Sequence, residues 1–140
     1  MNPLERITER VNRNGPVDDP STPRPLLTLD EFFTGNDVVG SIGCNLSPVP
    51  EPAQFLALLS AISARPDVAD VRVQVSMFDD PDWPFSDIVW VVTSASAEAV
   101  SSWFPEGIRP DDVMAGWPPD YPVEDCPVPA GMQPVACWWD

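Results

Sequence analysis

The aspartates of this sequence are the residues whose type and spacing most resemble a functional site. Four of them cluster in one acidic segment: Asp79, Asp80, Asp82 and Asp87. Carboxylate oxygens suit Mg²⁺ or Ca²⁺, and paired carboxylates act as acid and base when burial shifts a pKa. This spacing lacks the bidentate glutamate of an EF-hand loop, and Pro81 and Pro84 interrupt it. We therefore expect a solvated acidic loop, with no metal and no cofactor.

The absence of two residue types excludes several kinds of catalytic site. The chain contains no histidine, so Ser/His/Asp and Cys/His arrangements are excluded. It contains no lysine, which excludes Schiff-base chemistry and a phosphate-binding P-loop. Gly40 and Gly43 do not belong to a GxGxxG motif. The sequence indicates no catalytic residue and favours a binding protein over an enzyme.

The cysteines, Cys44, Cys126 and Cys137, form no CxxC pair. Cys44 and Cys137 lie in apolar, strand-like surroundings, where buried and reduced thiols are expected. The neighbours of Cys126 are Glu124 and Asp125, whose charges disfavour the thiolate of a nucleophile. Reduced cysteines and the lack of an apolar N-terminal signal segment predict a cytoplasmic protein. No apolar run reaches the roughly 18 residues that a membrane span needs.

Charge is the most unusual property of the chain. It contains 22 acidic residues and seven arginines, which gives a net charge of −15. Acids and arginines cancel within residues 1–24, so the whole net charge belongs to residues 25–140. Such a surface disfavours nucleic acid, because phosphates need cations. It suits either solubility alone or a basic protein partner.

The six tryptophans are the second feature that points to binding. Trp83 and Trp117 stand in acidic or proline-rich loops, where exposed rings would anchor a protein interface. Alternatively, the loops fold over these rings as lids. Trp138 and Trp139 point to opposite faces of a predicted strand, so one of them must leave the helix-covered core.

Hydrophobic periodicity predicts one α+β domain over residues 27–140, behind a disordered or loosely attached arm over residues 1–26. Thr28 and Glu31 form a capping box, and Gly35 ends the short helix 28–34. The other predicted elements are a strand at 40–46, a helix at 52–65, strands at 71–77 and 88–92, a helix from Ser94 or Ser96 to Phe104, a short helix at 110–116 and a strand at 135–139.

The resulting β-α-β-β-α-β order is that of the ferredoxin-like, split βαβ arrangement. In this arrangement the first and third strands are central, and the second and fourth form the edges. Residues 88–92 are apolar at every position, as expected of a central strand. A proline-rich loop, residues 118–134, precedes the last strand.

Two functions from different classes are compatible with these features. The first is a non-catalytic acidic module that docks on a basic protein, as an immunity-like or inhibitor-like protein or a regulatory subunit. In bulk composition the chain resembles the small acidic immunity proteins of bacterial toxin systems, without a shared motif. The predicted docking residues form two groups: first Asp79, Asp80, Asp82, Trp83 and Asp87, and second Asp111, Asp112 and Trp117.

The alternative function is a small ligand-binding or enzymatic domain that uses the open face of the sheet. Its polar strip consists of Ser41, Asn45, Arg72 and Gln74. Residues 118–134 or a second copy of the chain could instead cover that face, so a homodimer is a further candidate assembly.

Overall fold

The fold is built on one antiparallel sheet with four short helices. The computed structural model describes all residues, 1–140. The helices are α1 (Pro3–Val11), α2 (Leu29–Phe33), α3 (Pro52–Ser63) and α4 (Ala97–Ser102), and a 3-10 turn covers Glu106–Ile108. The strands are β1 (Leu26–Leu27), β2 (Val68–Gln74), β3 (Ile88–Thr93), β4 (Asp112–Ala115) and β5 (Gln133–Trp138). Their order is β1-β2-β3-β5-β4, and the α+β class is as predicted.

One face of the sheet forms the main core. Strand register aligns Val73, Val89 and Cys137 across β2, β3 and β5, and all three are fully buried. Phe55 and Leu59 of α3 are buried in the same cluster, because their i, i+4 spacing places both on one side of the helix. The predicted helix from residue 52 and the predicted central strand are both confirmed.

Local capping signals define α2 and α4. Thr28 Oγ1 accepts a hydrogen bond from Glu31 N (3.1 Å), and Glu31 Oε1 accepts one from Thr28 N (2.9 Å), which confirms the capping box. Gly35 follows with a φ of 79°, the left-handed conformation that ends many helices. Ser96 caps α4 by accepting from Ala99 N (3.1 Å). None of the helices is long and apolar enough to cross a membrane.

The second face of the sheet is covered by part of the proline-rich loop. Trp90 is buried there, and the ring of Trp117 packs on it at a centroid distance of 4.7 Å. Trp90 Nε1 donates to Gln74 Oε1 (2.8 Å), and Gln74 Nε2 donates to the Tyr121 hydroxyl (3.3 Å). The face that the alternative function requires to be open is therefore closed over its centre.

Residues 40–46 were predicted to form a strand, and this prediction is wrong. They form turns, with only one isolated bridge to the sheet region. Gly40 and Gly43 have φ values of 93° and 68°, which do not occur in a β-strand. A Cβ at Gly43 would lie 2.5 Å from the ring of Phe55, so the turn packs against α3 only because this position has no side chain.

The predicted helix at 110–116 is also wrong, because residues 112–115 form the edge strand β4. Pairing with β5 outweighs the helix-start pattern of Pro110 and the aspartates that follow it. Without a strand at 40–46, the ferredoxin-like order lacks its first strand. The second and fourth predicted strands correspond to β2 and β5, which lie inside the sheet. The split βαβ topology is not confirmed.

The structure places residues 1–26 against the body rather than as a loose arm. α1 buries Val11 completely. Arg10 forms ion pairs with Glu31 (2.9 Å) and Glu124 (2.7 Å). The prolines after α1 keep this helix short, as expected, but long-range contacts that no local pattern reports hold the segment in place.

Candidate binding cleft

A surface cleft lies where the N-terminal segment meets the ends of β2 and β3. Its volume is about 1070 Å³, slightly above the range of about 300–1,000 Å³ that is typical of ligand clefts in proteins. Part of the lining comes from α1 and residues 17–24, and another part from residues 76–81. Phe78, Ile88 and Tyr121 contribute apolar and aromatic surface. The cleft therefore combines apolar walls with the acidic segment that the sequence analysis singled out.

Carboxylates dominate the charge of the cleft. Five aspartates line it: Asp18, Asp79, Asp80, Asp87 and Asp120. None of them forms an ion pair, since all ion pairs of the protein involve other acids. The one cation of the lining, Arg24, donates to the backbone carbonyls of Asp19 (2.6 Å), Thr22 (3.1 Å) and Val17. The cleft thus carries five carboxylates and one guanidinium, and none of the carboxylates is ion-paired.

A buried tryptophan holds the acidic loop 79–85 in place. Trp83 is only 4% exposed, and its Nε1 donates to Phe32 O at 3.1 Å. At the base of the loop, Ser76 N donates to Phe85 O (2.9 Å). Trp83 anchors the loop from the inside, so the prediction of an exposed ring that contacts a partner is wrong at this position.

The aspartates predicted as the first docking group do not all lie in the cleft. Asp79 and Asp80 line it and are exposed. Asp87 also lines it, but it is half-buried and accepts a hydrogen bond from Ser76 Oγ at 2.5 Å. Asp82 is exposed outside the lining, and its N–H donates to Asp80 Oδ1 (2.8 Å). The cleft therefore brings together three of the four.

Several cleft residues were not predicted from the sequence, among them Asp18, Asp120 and Tyr121. Asp18 fell in the presumed arm, and Asp120 and Tyr121 fell in the proline-rich loop. Tyr121 is the only tyrosine of the chain, and an amphipathic ring among prolines was the one signal that could have drawn attention to it. Asp18 and Asp120 carried no local signal, because only the packing of distant segments brings them to the cleft.

A partly buried charge network stabilises the side of the cleft that the N-terminal segment forms. Glu124 accepts hydrogen bonds from Arg10 Nη2 (2.7 Å), Asn14 Nδ2 (2.6 Å) and Leu26 N (2.7 Å). Burial alone would raise the pKa of Glu124, but the hydrogen bonds from these donors outweigh burial and lower the pKa. Since α1 contributes to the cleft lining, this network positions one side of the cleft.

The second predicted docking group lies at β4. Asp111 and Asp112 are exposed, and Asp111 Oδ2 accepts a hydrogen bond from Asp140 N (2.7 Å). Trp117 is half-buried against Trp90, so it belongs to the cover of the sheet face. For Trp83 and Trp117 alike, the loops fold over the rings, as in the alternative interpretation of these residues.

The four residues of the alternative ligand site do not form a common strip on the sheet. Ser41 is buried and Asn45 is exposed, and both belong to the turns at 40–46 rather than to a strand. Arg72 and Gln74 share a face of β2, but Gln74 is occupied by Trp90 and Tyr121, as described above. Arg72 Nε pairs with Asp70 at 2.7 Å.

The cysteines are free thiols. Cys137 is buried in β5, and this burial raises its pKa to about 12. Cys126 is half-buried, and its pKa is raised by burial and by the charge of Asp70, whose Oδ2 lies 3.9 Å from the sulfur. Cys44 is exposed, contrary to expectation, because the strand that would bury it does not form. No group of three or more acidic or cysteine side chains is arranged to hold a metal ion.

Comparisons with known proteins give the family of the chain. A family model described as "Uncharacterized protein YfbO family" matches residues 2–137. The chain belongs to this family. A relative from Escherichia coli (strain K12), described as "Uncharacterized protein YfbO", is 51% identical over 140 residues and the match covers the full length of both sequences. No solved structure matches the chain.

Proposed function

We propose that this protein is a non-catalytic binding module that docks on a basic protein through the acidic cleft. The observation that carries the proposal is the set of five cleft aspartates without an ion-pair partner. A lysine or arginine side chain of the partner would meet carboxylates with its charged end. Its methylene groups would pack on apolar surface such as Phe78.

The charge of the whole molecule supports the same partner. The net charge is −15, and a cleft lined by one sign of charge concentrates the field at its mouth. Such a field attracts a basic protein over distances longer than direct contact, which makes association fast and dependent on salt. A basic protein such as a nuclease toxin or a nucleic-acid-binding protein has this chemistry. The module would then act as an immunity-like or inhibitor-like protein or as a regulatory subunit.

The cleft also has the rigidity that such a role requires. Trp83 anchors the loop that carries Asp79 and Asp80, and the contacts of Glu124 fasten the N-terminal side. Binding to groups that are already in position costs less conformational entropy than binding to a mobile loop. The alternative, a ligand or substrate site on the open sheet face, has less support because residues 117–126 cover that face.

Binding of a fluorescein-labelled oligolysine peptide, followed by anisotropy, tests the proposal with a defined probe. We expect the double variant Asp79→Asn, Asp80→Asn to bind about 5–30-fold more weakly than the parent, since two partly exposed charge pairs contribute about 1–2 kcal/mol together. The affinity of the parent is expected to fall between about 10 mM and about 150 mM salt, where the screening length shortens from about 30 Å to about 8 Å.

The matched control is the double variant Asp37→Asn, Glu98→Gln. It removes the same charge from two exposed positions outside the cleft. If the cleft is the docking site, this control binds the peptide nearly as well as the parent. Equal losses in both double variants would mean that the peptide responds only to net charge, and an affinity that does not change with salt would contradict the proposal directly.

A further inference from the structure

The two edges of the sheet differ in whether another segment of the protein forms hydrogen bonds beside them. At the β1 edge, Arg24 N donates to Pro122 O (2.9 Å), and Glu124 N donates to Arg24 O (3.0 Å), so the chain itself covers this edge. At the other edge lies β4, whose residues are mostly exposed. Met114 is 56% exposed. β4 is therefore the open edge of the sheet.

The hydrogen bonds of β4 show which of its backbone groups face outward. Gly116 N donates to Pro134 O at 2.8 Å, and backbone groups alternate sides along a strand. The N–H and C=O groups of Val113 and Ala115 therefore point away from β5. Val113 N donates to Asp112 Oδ1 (3.0 Å). Outside the regular strand pairing, no backbone hydrogen bond involves Ala115 N or the outward carbonyls of Val113 and Ala115.

The charge around this edge is negative. Asp111, Asp112 and Asp140 lie together at one end of β4, joined by the hydrogen bond from Asp140 N to Asp111 Oδ2 (2.7 Å). The nearest cation in sequence is Arg109, whose guanidinium donates to Phe104 O at 3.1 and 3.3 Å rather than to these carboxylates. An extended segment that carries lysine or arginine thus matches the edge in both hydrogen bonding and charge.

We propose that the outer edge of β4 binds an extended basic segment of a protein partner as a sixth strand of the sheet. This surface is distinct from the cleft and lies at the opposite end of the strand order. A second copy of the chain fits the edge less well, because each copy carries a net charge of −15 and the acidic end of β4 would meet a second acidic strand. A single exposed strand with a free N–H and two free carbonyls is the template that strand addition requires.

A peptide of alternating lysine and valine is the probe for this edge, and a peptide of alternating lysine and proline is its control. Both peptides have the same charge, but the second has too few N–H groups to form a strand. We expect the lysine–valine peptide to bind more tightly and to slow hydrogen exchange at the Ala115 amide. Equal binding of the two peptides, or unchanged exchange at Ala115, would overturn the proposal.

Two substitutions at one exposed position separate the edge from the cleft. Ala115→Pro removes the outward N–H without removing a bond to β5, and Ala115→Val keeps that N–H. We expect about a tenfold loss of affinity in Ala115→Pro, since one hydrogen bond and a close backbone approach are lost, and little change in Ala115→Val. Circular dichroism reports whether both variants fold. If Ala115→Pro does not fold, hydrogen exchange at the Ala115 amide of the parent, with and without the lysine–valine peptide, tests the proposal instead.

The cleft variant Asp79→Asn, Asp80→Asn shows which surface the peptide uses. Retained binding in this variant, with loss in Ala115→Pro, supports the β4 edge whether or not the cleft binds a basic protein. The reverse pattern places the peptide in the cleft and overturns the edge proposal while leaving the proposed function intact. Dimer formation by the parent in sedimentation, abolished by Ala115→Pro, would also overturn it, because the edge would then bind a second copy.

Discussion

Replacing Glu124 with glutamine is expected to destabilise the protein by loosening its N-terminal segment. The carboxylate accepts hydrogen bonds from Arg10 Nη1 (3.0 Å), Arg10 Nη2 (2.7 Å), Asn14 Nδ2 (2.6 Å) and Leu26 N (2.7 Å). Glutamine keeps one oxygen, but its amide nitrogen would face donors of Arg10 and Asn14. The substitution therefore turns an ion pair into a contact between donors and removes the negative charge beside a guanidinium.

The size of the effect follows from the burial of the pair. The side chains of Arg10 and Glu124 are 9% and 14% exposed, so their interaction lies between that of a surface pair and that of a fully buried one. We expect a loss of about 2–4 kcal/mol in the free energy of unfolding. For a chain of this length, that corresponds to a melting temperature lower by about 6–12 °C.

The destabilisation should also depend on pH. The pKa of Glu124 in the folded protein lies below its ordinary value of 4.5, so ionised Glu124 stabilises the folded state. This contribution is fully present above the ordinary value and is lost as the pH falls through the lowered pKa. The difference between the parent and Glu124→Gln is therefore largest near neutral pH and shrinks below pH 4.5.

Denaturant unfolding of both proteins across this pH range measures the difference. Asp125→Asn is the matched control, because Asp125 is the next residue, is exposed, and has no ion-pair partner. We expect the control to be as stable as the parent or slightly more stable, since it removes one charge from a strongly acidic chain. If Glu124→Gln unfolds at the same denaturant concentration as the control, the hydrogen bonds of Glu124 do not stabilise the N-terminal segment.

Two further predictions concern the core. Gly43→Ala should destabilise the protein by about 2–4 kcal/mol in thermal or denaturant unfolding, because the new Cβ would clash with the Phe55 ring at a residue with positive φ. Gly107→Ala is the control and should be nearly neutral, since Gly107 has open space around it. Equal stability of the two variants would contradict the close packing of Gly43 on Phe55. At about pH 8, a thiol reagent should label the exposed Cys44 first and Cys137 only after unfolding, because burial raises the pKa of Cys137 to about 12. Mass spectrometry measures the labelling of each cysteine. Equal labelling rates of Cys44 and Cys137 in the folded protein would disprove the burial of Cys137.

Patterns that act within a few residues were sufficient to predict much of the fold. The capping box of Thr28 and Glu31 and the apolar run of β3 each report a local preference that the structure satisfies. The opposite orientation of Trp138 and Trp139 also followed from strand alternation: Trp139 is 2% exposed and packs on Phe55 at 5.6 Å, whereas Trp138 is half-buried. Such features depend on one element at a time.

The failures share a different cause, because each depends on a distant segment. Residues 40–46 alternate like a strand, yet the ring of Phe55 requires a glycine turn there. Residues 112–115 begin like a helix, yet β5 offers them a strand partner. A local pattern states only a preference, and a tertiary contact worth a few kcal/mol can override it.

The sequence by itself determined the chemistry that this protein can offer: carboxylates in large excess, no histidine, no lysine and a net charge of −15. Only the tertiary structure decided where that charge acts. It buried Trp83 beneath the acidic loop, and it folded residues 1–26 against the body so that Asp18 faces the same cleft as Asp79. The physical reason is that composition is a property of single residues, whereas a cleft exists only after segments far apart in the chain have packed together.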